Sequence, residues 1–470
     1  MRYVGRVSVC LLCAVLLIGA QSVVKGEKAS PYHEASAMAD WTIMVFLNAD
    51  NNLEPFGIRD FLEMAKVGSS ERINIIVQFD RVQGESDEFE DWTQTLRFRV
   101  GKDMTPIPAN AVEDIGEADM GSGETLSQFV QWATTKYPAQ RYLLDIWDHG
   151  QGWRFKRAVT PTLNGSPDSK FMANQLLKFK KQQFELIGKV FDEKAPAIPL
   201  DRVLPPTYRY VSHDDSSGTK LYNRVIQDSL KAQLQGRKLD VIGFDACLMS
   251  MTETAYAMRE VAQVMVGSQE LEPGAGWNYE KFLTKLAANP SADAKAVGEM
   301  LVQAYKEHYS GFDEETTLSA VDLTKVDTMA SSISMLADLS KSKLGTEHSN
   351  ILKARRECAN YAPGRGLHGI DLARFCQQLA LCTTDTDLKT AAQAVDLNIK
   401  GLVTANFAGA DRQGKFGSAG LAIYFPGSKT EYLSDPDRKG YEKVNVIHPV
   451  EFVQKHSWAD FLQAYFVMTP

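Results

Sequence analysis

The chain has 470 residues, of which 44% are hydrophobic and 23% are charged, and its formal net charge is −8. This length exceeds one compact hydrophobic core, so two or more domains are expected, and the composition excludes a disordered chain. The acidic balance argues against nucleic-acid binding, which needs a basic face, and it weakly suits a cationic substrate.

The N-terminal residues have the pattern of a secretory signal peptide. Arg2 and Arg6 precede an apolar run over 7–20, which is too short to span a bilayer comfortably. We therefore predict a signal peptide at 1–20 and a flexible leader at 21–39. The mature protein is then secreted, periplasmic or held at the cell surface, and no later apolar stretch of the sequence predicts a membrane span.

Five apolar, β-branched runs alternate with amphipathic helical patterns along the next part of the chain. This alternation predicts an α/β fold with a mostly parallel sheet that is covered by helices on both faces. Functional sites in such sheets lie at the carboxyl ends of the strands. The predicted strands span 41–47, 73–79, 142–147, 239–244 and 264–267, and the predicted helices span 55–67, 125–137, 221–234 and 248–261.

The regular alternation stops between residues 154 and 210, in a stretch rich in Lys, Arg and Pro that is far longer than a usual connection. After residue 290 the pattern is mostly helical, with a strand-like run at 420–426 and a terminal helix at 458–466. We therefore predict a main domain over 40–290 that carries an insertion at 154–210, followed by a smaller C-terminal α+β domain over 291–470.

Reactive side chains follow two of the predicted strands. His149 comes after the third strand and Cys247 after the fourth, so adjacent parallel strands would place the two side by side. The imidazole, and a helix beginning directly after Cys247, would lower the pKa of the thiol. The backbone N–H groups of Gly150 and Cys247 could hold an oxyanion. A single cysteine or histidine is more often structural, but the presence of both residues directly after predicted core strands favours a catalytic role.

The cysteines outside the predicted signal peptide are Cys247, Cys358, Cys376 and Cys382. The last three are an odd set, so at most one disulfide is expected among them, and Cys247 stays apart. There is no CxxC pair and the histidines are scattered, so we predict no zinc site and assign no metal ligands.

Several strings together give the chain a family resemblance. IWDHG at 146–150 and IGFDACLM at 242–249 resemble the two hallmark strings of the clostripain family of cysteine peptidases, relatives of caspases, legumain and gingipains. The strings at 48–53, 120–133 and 272–277 also match. The resemblance implies a caspase-like fold, a three-layer sandwich with a mostly parallel sheet. It does not extend over the insertion, where no family pattern aligns.

The resemblance also implies roles for individual residues. His149 is the general base or acid and Cys247 the nucleophile of an endopeptidase that cuts after Arg or Lys. Asp245 matches the acidic residue at the floor of the S1 pocket, where an Arg or Lys side chain would neutralise a buried carboxylate. The alternative is that Asp245 caps a helix starting near Cys247. Glu270 and Glu272 are candidates for a second S1 acid, or are solvated or structural.

No cofactor is expected from the sequence. Some family members need calcium, so the resemblance leaves calcium open without any support from this sequence. Asp214 and Asp215 are predicted turn residues, with calcium binding as the minor alternative, and the acidic run at 85–91 is predicted to be a solvated loop. The expected partners are protein or peptide substrates with Arg or Lys at P1, not nucleic acid or a membrane.

Activation is expected to occur by self-cleavage within the insertion, because its many basic residues suit the predicted S1 pocket and its Pro and Gly residues leave the backbone accessible. The product would be a monomer or a non-covalent pair of cleaved chains. Two other readings remain open. One is a non-catalytic secreted binding protein on a caspase-like scaffold, against which the intact Cys–His pair argues. The other is a cysteine-dependent transferase or amidase.

Overall fold

A mixed nine-stranded sheet organises the part of the chain that the computed structural model describes. The predicted signal peptide, the predicted leader up to residue 37 and the insertion from residue 155 onwards lie outside the described residues. Those described are 38–154, 211–311, 315–362, 366–445 and 449–469.

The sheet has a parallel centre and antiparallel flanks, in the order β12-β10-β9-β8-β5-β1-β2-β3-β4. Two further pairs of short antiparallel strands, β6 with β7 and β11 with β13, lie outside it. The strands are β1 (Ala39–Ala49), β2 (Ile73–Arg81), β3 (Leu96–Arg99), β4 (Glu113–Asp114), β5 (Ala139–Trp147), β6 (Val211–His213), β7 (Lys220–Leu221), β8 (Leu239–Asp245), β9 (Ala262–Gly267), β10 (Thr317–Asp322), β11 (Gly369–Asp371), β12 (Val403–Ala408) and β13 (Ala422–Tyr424).

All five predicted strands are present, and together they form the parallel centre of the sheet. The predicted mostly parallel sheet therefore describes this centre, β9-β8-β5-β1-β2. The sequence pattern did not reveal the antiparallel flanks. Strand β4 has only two residues, β12 is only partly buried, and the buried β10 mixes polar with apolar residues, so these strands lack the continuous apolar runs that mark the central strands.

Helices cover both faces of the sheet, because consecutive side chains of each central strand point to opposite sides. In β1, Met44 and Phe46 enter one hydrophobic core, whereas Ile43, Val45 and Leu47 enter the other. The helices are α1 (Glu54–Val67), α2 (Gly123–Lys136), α3 (Asn223–Leu234), α4 (Thr252–Met258), α5 (Tyr279–Ala288), α6 (Ala294–Tyr309), α7 (Val326–Ser342), α8 (Leu344–Arg356), α9 (Leu372–Cys382), α10 (Thr386–Leu402), α11 (Lys429–Ser434), α12 (Glu451–Lys455) and α13 (Trp458–Met468).

Two helix-covered cores make the predicted three-layer sandwich. Helices α1, α5 and α6 bury their apolar side chains in one core, and α2, α3, α4 and α7 bury theirs in the other. Three of the four predicted helices, which correspond to α1, α2 and α3, are confirmed to within two residues at each end.

The fourth predicted helix, at 248–261, is wrong at its start. Helix α4 begins only at Thr252, and no side chain caps it. Leu248 adopts a positive φ of 61°, and its N–H donates to the carbonyl of Glu270, 3.0 Å away. The residues after Cys247 thus hydrogen-bond to the segment that follows β9 instead of entering a helix. No helix N-terminus begins directly after Cys247 to lower the pKa of its thiol.

The region after residue 290 shares the main sheet. Its strands β10 and β12 pair with each other, and β10 pairs with β9. The described residues from Met38 onwards also form one compact unit by their contacts. The boundary at residue 290 stays a prediction. No described helix is long and apolar enough to cross a membrane.

Two other cysteines, Cys358 and Cys376, have a structural role in this fold. Within the described part of the chain, Cys358, Cys376 and Cys382 form no disulfide, which agrees with the expectation of at most one. Cys358 and Cys376 are buried in the apolar core, and burial raises the pKa of Cys358 to about 12. Such thiols are inert as nucleophiles at neutral pH.

Candidate active site

The register of two central strands brings the predicted histidine and cysteine to the same edge of the sheet. Strands β5 and β8 are parallel neighbours, and Trp147 pairs with Asp245 at their carboxyl ends. His149 and Cys247 each lie two residues beyond this pair. The sequence prediction that adjacent strands carry the two residues is therefore confirmed.

The His149 ring is oriented by a residue that follows β1. Its Nε2 lies 3.0 Å from the side-chain oxygen of Asn52, and the ring is largely buried. Because a carbonyl oxygen accepts hydrogen bonds, this contact favours the tautomer with hydrogen on Nε2, in which Nδ1 is the basic nitrogen. The string at 48–53 resembles the family pattern, but the sequence pattern alone predicts no role for Asn52.

The carboxylate of Asp148 accepts hydrogen bonds from the backbone around the histidine. It accepts hydrogen bonds from the Asn51 side chain at 3.0 Å and from the backbone N–H groups of His149 and His213. The turn after β1, the end of β5 and strand β6 are thereby joined at one carboxylate. Burial raises the pKa of Asp148 well above its usual range.

The Cys247 thiol lies against the segment that follows β9. Its Sγ accepts a hydrogen bond from the backbone N–H of Glu272 at 3.2 Å. A hydrogen bond to sulfur stabilises a thiolate more than a thiol, because the anion is the better acceptor. This backbone donor takes the place of the helix N-terminus that the sequence pattern predicts beside Cys247.

Gly150 packs directly on the backbone of Cys247. A Cβ atom at position 150 would lie 2.6 Å from the carbonyl oxygen of Cys247 and 2.8 Å from the Cβ of Ala246. Only glycine fits there without a shift of the backbone. Gly150 and Cys247, the predicted partners of an oxyanion hole, are thus neighbours in space.

Asp245 is buried and held by the loop that follows β9. Its carboxylate accepts hydrogen bonds from the backbone N–H of Trp277 at 2.9 Å and from the Tyr279 hydroxyl at 3.0 Å. Gly276 has a positive φ of 53°, and a Cβ there would lie 2.6 Å from the Asp245 carboxylate. Since α4 begins only at Thr252, Asp245 does not cap it.

Further buried carboxylates surround Asp245. Glu272 is its neighbour, and both Glu272 carboxylate oxygens are buried without a hydrogen bond of ordinary geometry. A carboxylate oxygen of Asp145 lies 2.6 Å from the Tyr279 hydroxyl, and Asp60 accepts a hydrogen bond from the Trp147 indole at 2.7 Å. We call Asp60, Asp145, Asp245 and Glu272 the buried acidic group.

The buried acidic group has raised pKa values and no cationic partner among the described residues. Burial, the largest cause, raises the pKa of Asp245 to about 6 and that of Asp145 to about 8. Burial and the charge of Asp245 raise the pKa values of Asp60 and Glu272 well above the usual range. Such a group favours an added cation, because the cation would replace the lost solvation of the carboxylates.

Glu270 has a different environment from Glu272. Its carboxylate forms a buried ion pair with Arg412 at 2.6 Å, and it also accepts hydrogen bonds from the backbone N–H groups of Leu271 and Ala362. The S1 role predicted for Glu270 stays a prediction, but the arginine partner favours a structural role. Glu272 is the candidate that lies beside Asp245.

Asp145→Asn should change how stability depends on pH. The folded-state pKa of Asp145, about 8, is above the usual 3.8, so its contribution to stability is full below about pH 4 and is lost as the pH rises through about 8. Asparagine cannot ionise. We expect the melting temperature of Asp145→Asn, relative to its parent, to increase from pH 5 to about pH 8 and to level off above that.

The measurement is thermal unfolding of Asp145→Asn in the Cys247→Ala background across this pH range. Asp338→Asn, which changes an exposed carboxylate on α7, is the matched control and should show a constant difference. A difference for Asp145→Asn that does not vary with pH would contradict the raised pKa.

The sheet order, the two helix layers and the paired strand ends define a caspase-like α/β fold. The profile of the clostripain family matches residues 45–165 and 200–465, which is most of the chain. The chain therefore belongs to the clostripain family.

Three relatives illustrate the similarity. Clostripain from Hathewaya histolytica is 27% identical over 271 residues, which are 53% of this chain and 42% of that protein, so this chain covers less than half of that relative. A secreted C11 cysteine protease from Bacteroides thetaiotaomicron, solved with an irreversible peptide inhibitor, has a TM-score of 0.58 and 18% identity over 90% of this chain and 99% of that one. An inactive zymogen C11 protease from Parabacteroides distasonis has a TM-score of 0.54 and 16% identity over 91% and 99% of the two chains.

Proposed function

We propose that this protein is a secreted cysteine endopeptidase that hydrolyses peptide bonds after Arg or Lys. The observation that carries the proposal is the meeting of His149 and Cys247 at the ends of adjacent strands, beside a buried acidic group that has no cationic partner among the described residues. Membership of the clostripain family supports the peptidase activity. The predicted signal peptide, and the description of a structural relative as secreted, support export.

The proposed reaction is acyl transfer to the cysteine. The Cys247 thiolate attacks the carbonyl carbon of the scissile bond, and the oxyanion accepts hydrogen bonds from the backbone N–H groups of Gly150 and Cys247. His149 gives a proton to the leaving amine as the C–N bond breaks. It then takes a proton from the water that hydrolyses the thioester, which restores the thiolate.

Specificity is assigned to Asp245 and Glu272. A P1 guanidinium or ammonium group would neutralise carboxylates that burial otherwise keeps partly protonated. The Tyr279 hydroxyl touches Asp145 and Asp245 but has one proton to donate. Asp145 has the higher pKa of the two carboxyls. We therefore infer that the Tyr279 hydroxyl donates its hydrogen bond to the Asp245 carboxylate, and that protonated Asp145 donates a hydrogen bond to the Tyr279 oxygen. Asp245 is then the carboxylate that carries the negative charge.

The direct test is hydrolysis of blocked fluorogenic peptides that differ only at P1. We expect Arg and Lys peptides to be cleaved, and peptides with Gln or Glu at P1 to be cleaved at least 100-fold more slowly. Cleavage of the Glu peptide at the rate of the Lys peptide would contradict the assignment of Asp245 and Glu272 to the S1 pocket. Binding of the peptides without hydrolysis would instead support the non-catalytic scaffold.

We also propose that the enzyme activates itself by cutting within the insertion, whose residues 155–210 lie outside the described part of the chain. Both described ends of this segment are near the site. Arg154 follows His149 by five residues, and His213 in β6 donates its backbone N–H to Asp148. The description of one structural relative as an inactive zymogen supports such a step.

Arg154 is not a suitable P1 residue for this cleavage, although it is the first basic residue of the insertion. It is buried, and its guanidinium forms hydrogen bonds of 2.9 and 2.7 Å with Asp435 and one of 3.3 Å with Asp437. Reaching the S1 pocket would break this buried ion pair and leave Asp435 without its arginine partner. The remaining candidates are Lys156, Arg157, Lys170, Lys178, Lys180, Lys181, Lys189, Lys194, Arg202 and Arg209.

The cut chains should remain together. The segment before the insertion supplies β1, β2 and β5, and the segment after it supplies β8, β9 and β10, all within one sheet. The ion pair between Arg154 and Asp435 adds a contact between the two segments. A disulfide is not needed to hold them.

Wild-type protein purified without inhibitor should therefore run as two fragments on a denaturing gel and as one species on gel filtration, whereas Cys247→Ala should run as one chain. Mass spectrometry should place the cut between residues 156 and 210. Arg154→Gln should give fragments of the same masses and a lower melting temperature. Fragmentation of Cys247→Ala in a host without trypsin-like activity would show that another protease cuts, and an intact, fully active wild type would rule out self-activation.

A further inference from the structure

A small recess lies on the opposite face of the sheet from the buried acidic group. It is formed by α3, α4, the start of α12 and Trp153, and it is partly open to solvent. Trp153 and the apolar side chains of α4 belong to one hydrophobic core, whereas Trp147 and Tyr279, beside the buried acidic group, belong to the other. We call this space the polar recess. It is therefore separate from the proposed S1 pocket.

Two side chains of the polar recess are almost completely buried and carry an oxygen that has no hydrogen-bond partner among the described residues. Glu253 and Gln227 are each 1% exposed. Glu253 Oε1 accepts from the Tyr441 hydroxyl at 2.7 Å, but Oε2 has no donor. Gln227 Nε2 donates to Glu451 at 2.8 Å, but Oε1 has no donor. Because a carboxylate only accepts, Glu451 fixes the orientation of the Gln227 amide, and its oxygen stays without a donor.

A third oxygen of the recess comes from Asn223, which lies one helical turn before Gln227 on the same face of α3. Its Nδ2 donates to the Thr254 hydroxyl at 3.0 Å, and its buried Oδ1 has no partner among the described residues. The recess thus offers three acceptor oxygens, two from amides and one from a carboxylate, against one donor without an acceptor, the Trp153 indole N–H. A buried oxygen without a donor is costly, so this set favours a ligand rich in N–H groups.

The arginines beside the polar recess are paired with other carboxylates. Arg224 lines the recess, but its guanidinium pairs with Asp228 on the same helix at 2.7 Å. Arg154, whose charge acts on Glu253, pairs with Asp435 at 2.7 Å. Burial raises the pKa of Glu253 to about 7 despite its hydrogen bonds and the charge of Arg154. A cationic donor in the recess would stabilise the charged form of this carboxylate.

We propose that the polar recess binds a primary alkylammonium group through Glu253, Gln227 and Asn223. An ammonium group has three N–H donors and one positive charge, which match the three oxygens and the carboxylate charge. The recess admits a group of about the size of a water molecule, so the ammonium end enters it and the alkyl chain extends towards solvent. The same group is carried by a free alkylamine and by a lysine side chain, and the test separates these two sources.

The test measures binding by the full chain as the Cys247→Ala, Asp245→Asn double variant, so that neither self-cleavage nor the proposed S1 pocket contributes. At about pH 8, where Glu253 is charged, n-butylamine should raise the melting temperature by about 3 °C at about one hundred times Kd. Tetramethylammonium chloride at the same concentration and ionic strength should give no rise, because it has the charge but no N–H donor. A rise with acetyl-lysine amide would show that a lysine side chain also fits, and its absence would assign the recess to free amines.

Two variants in this background place the amine. Glu253→Gln should abolish the rise, because glutamine keeps an oxygen for the Tyr441 hydroxyl and the Tyr424 N–H but turns an NH2 group, a donor, towards the ammonium. Gln227→Met is similar in size and removes the amide oxygen, so it should weaken binding about tenfold. Glu299→Gln changes an exposed carboxylate on α6, and as the matched control it should respond like the parent.

The proposal is overturned if n-butylamine gives no larger rise in melting temperature than tetramethylammonium, since the recess then holds water alone. It is also overturned if Glu253→Gln and Gln227→Met both keep the full response, because the amine would then bind elsewhere. A response that both variants reduce and Glu299→Gln retains supports it. None of these results bears on the proposed peptidase function, which is tested by hydrolysis alone.

Discussion

Cys247→Ala is expected to lower kcat on a Lys or Arg fluorogenic peptide by several orders of magnitude while the fold is retained. The nucleophile and its base act as a unit, so removing the sulfur leaves only substrate binding and the oxyanion donors. The thiol is partly buried and accepts a hydrogen bond from the Glu272 N–H. Alanine leaves this N–H without its sulfur acceptor, so a modest fall in melting temperature is also expected.

Cys382→Ala is the matched control for this experiment. Cys382 is a partly buried thiol at the end of α9, so its loss should leave turnover within a factor of two of wild type. His149→Ala should also lose most activity but keep a small residual activity, because the thiol remains. Turnover of Cys247→Ala above a few per cent of wild type, with the protein freed of contaminating proteases, would exclude Cys247 as the nucleophile.

Asp245→Asn is expected to weaken recognition of basic P1 residues specifically. Losing one partner of a desolvated charge pair costs about 2–5 kcal/mol, which corresponds to a fall of roughly 30-fold to several thousand-fold in kcat/KM on Lys and Arg peptides. The Trp277 N–H and the Tyr279 hydroxyl can still donate to the asparagine oxygen, so the loop should keep its position.

The control measurement is the rate at which a small uncharged reagent such as iodoacetamide alkylates Cys247. The alkylation rate should be nearly unchanged in Asp245→Asn, because the reagent does not enter the S1 pocket. Glu272→Gln should also lower kcat/KM on Lys and Arg peptides without changing the alkylation rate, but by a smaller factor. Equal losses in hydrolysis and alkylation would show that Asp245 supports the catalytic loop rather than the substrate.

The pH profile adds a second signature of Asp245. Its pKa is raised to about 6, so the carboxylate loses its charge as the pH falls through 6 in the free enzyme. We expect kcat/KM on a Lys peptide to fall more steeply below pH 6 than the alkylation rate does, because kcat/KM reports groups of the free enzyme. In Asp245→Asn the two profiles should run parallel.

The amino-acid sequence by itself was enough to predict the centre of the fold and the position of the proposed dyad. Continuous apolar runs identify buried parallel strands, and parallel strands align their carboxyl ends. The residues after Trp147 and Asp245 therefore had to meet if their strands were neighbours, as they are. Local pattern and topology were sufficient here, because each element is defined by its own side chains.

Only the tertiary structure decided the electrostatic partners. Glu270 and Glu272 are two residues apart, yet one is paired with Arg412 from a distant segment and the other lies beside Asp245. The helix predicted directly after Cys247 gave way to hydrogen bonds with the segment following β9. Such contacts join segments that are far apart in the chain, and burial sets their strength. Neither the partner nor the degree of burial can be predicted from the neighbouring residues of the sequence.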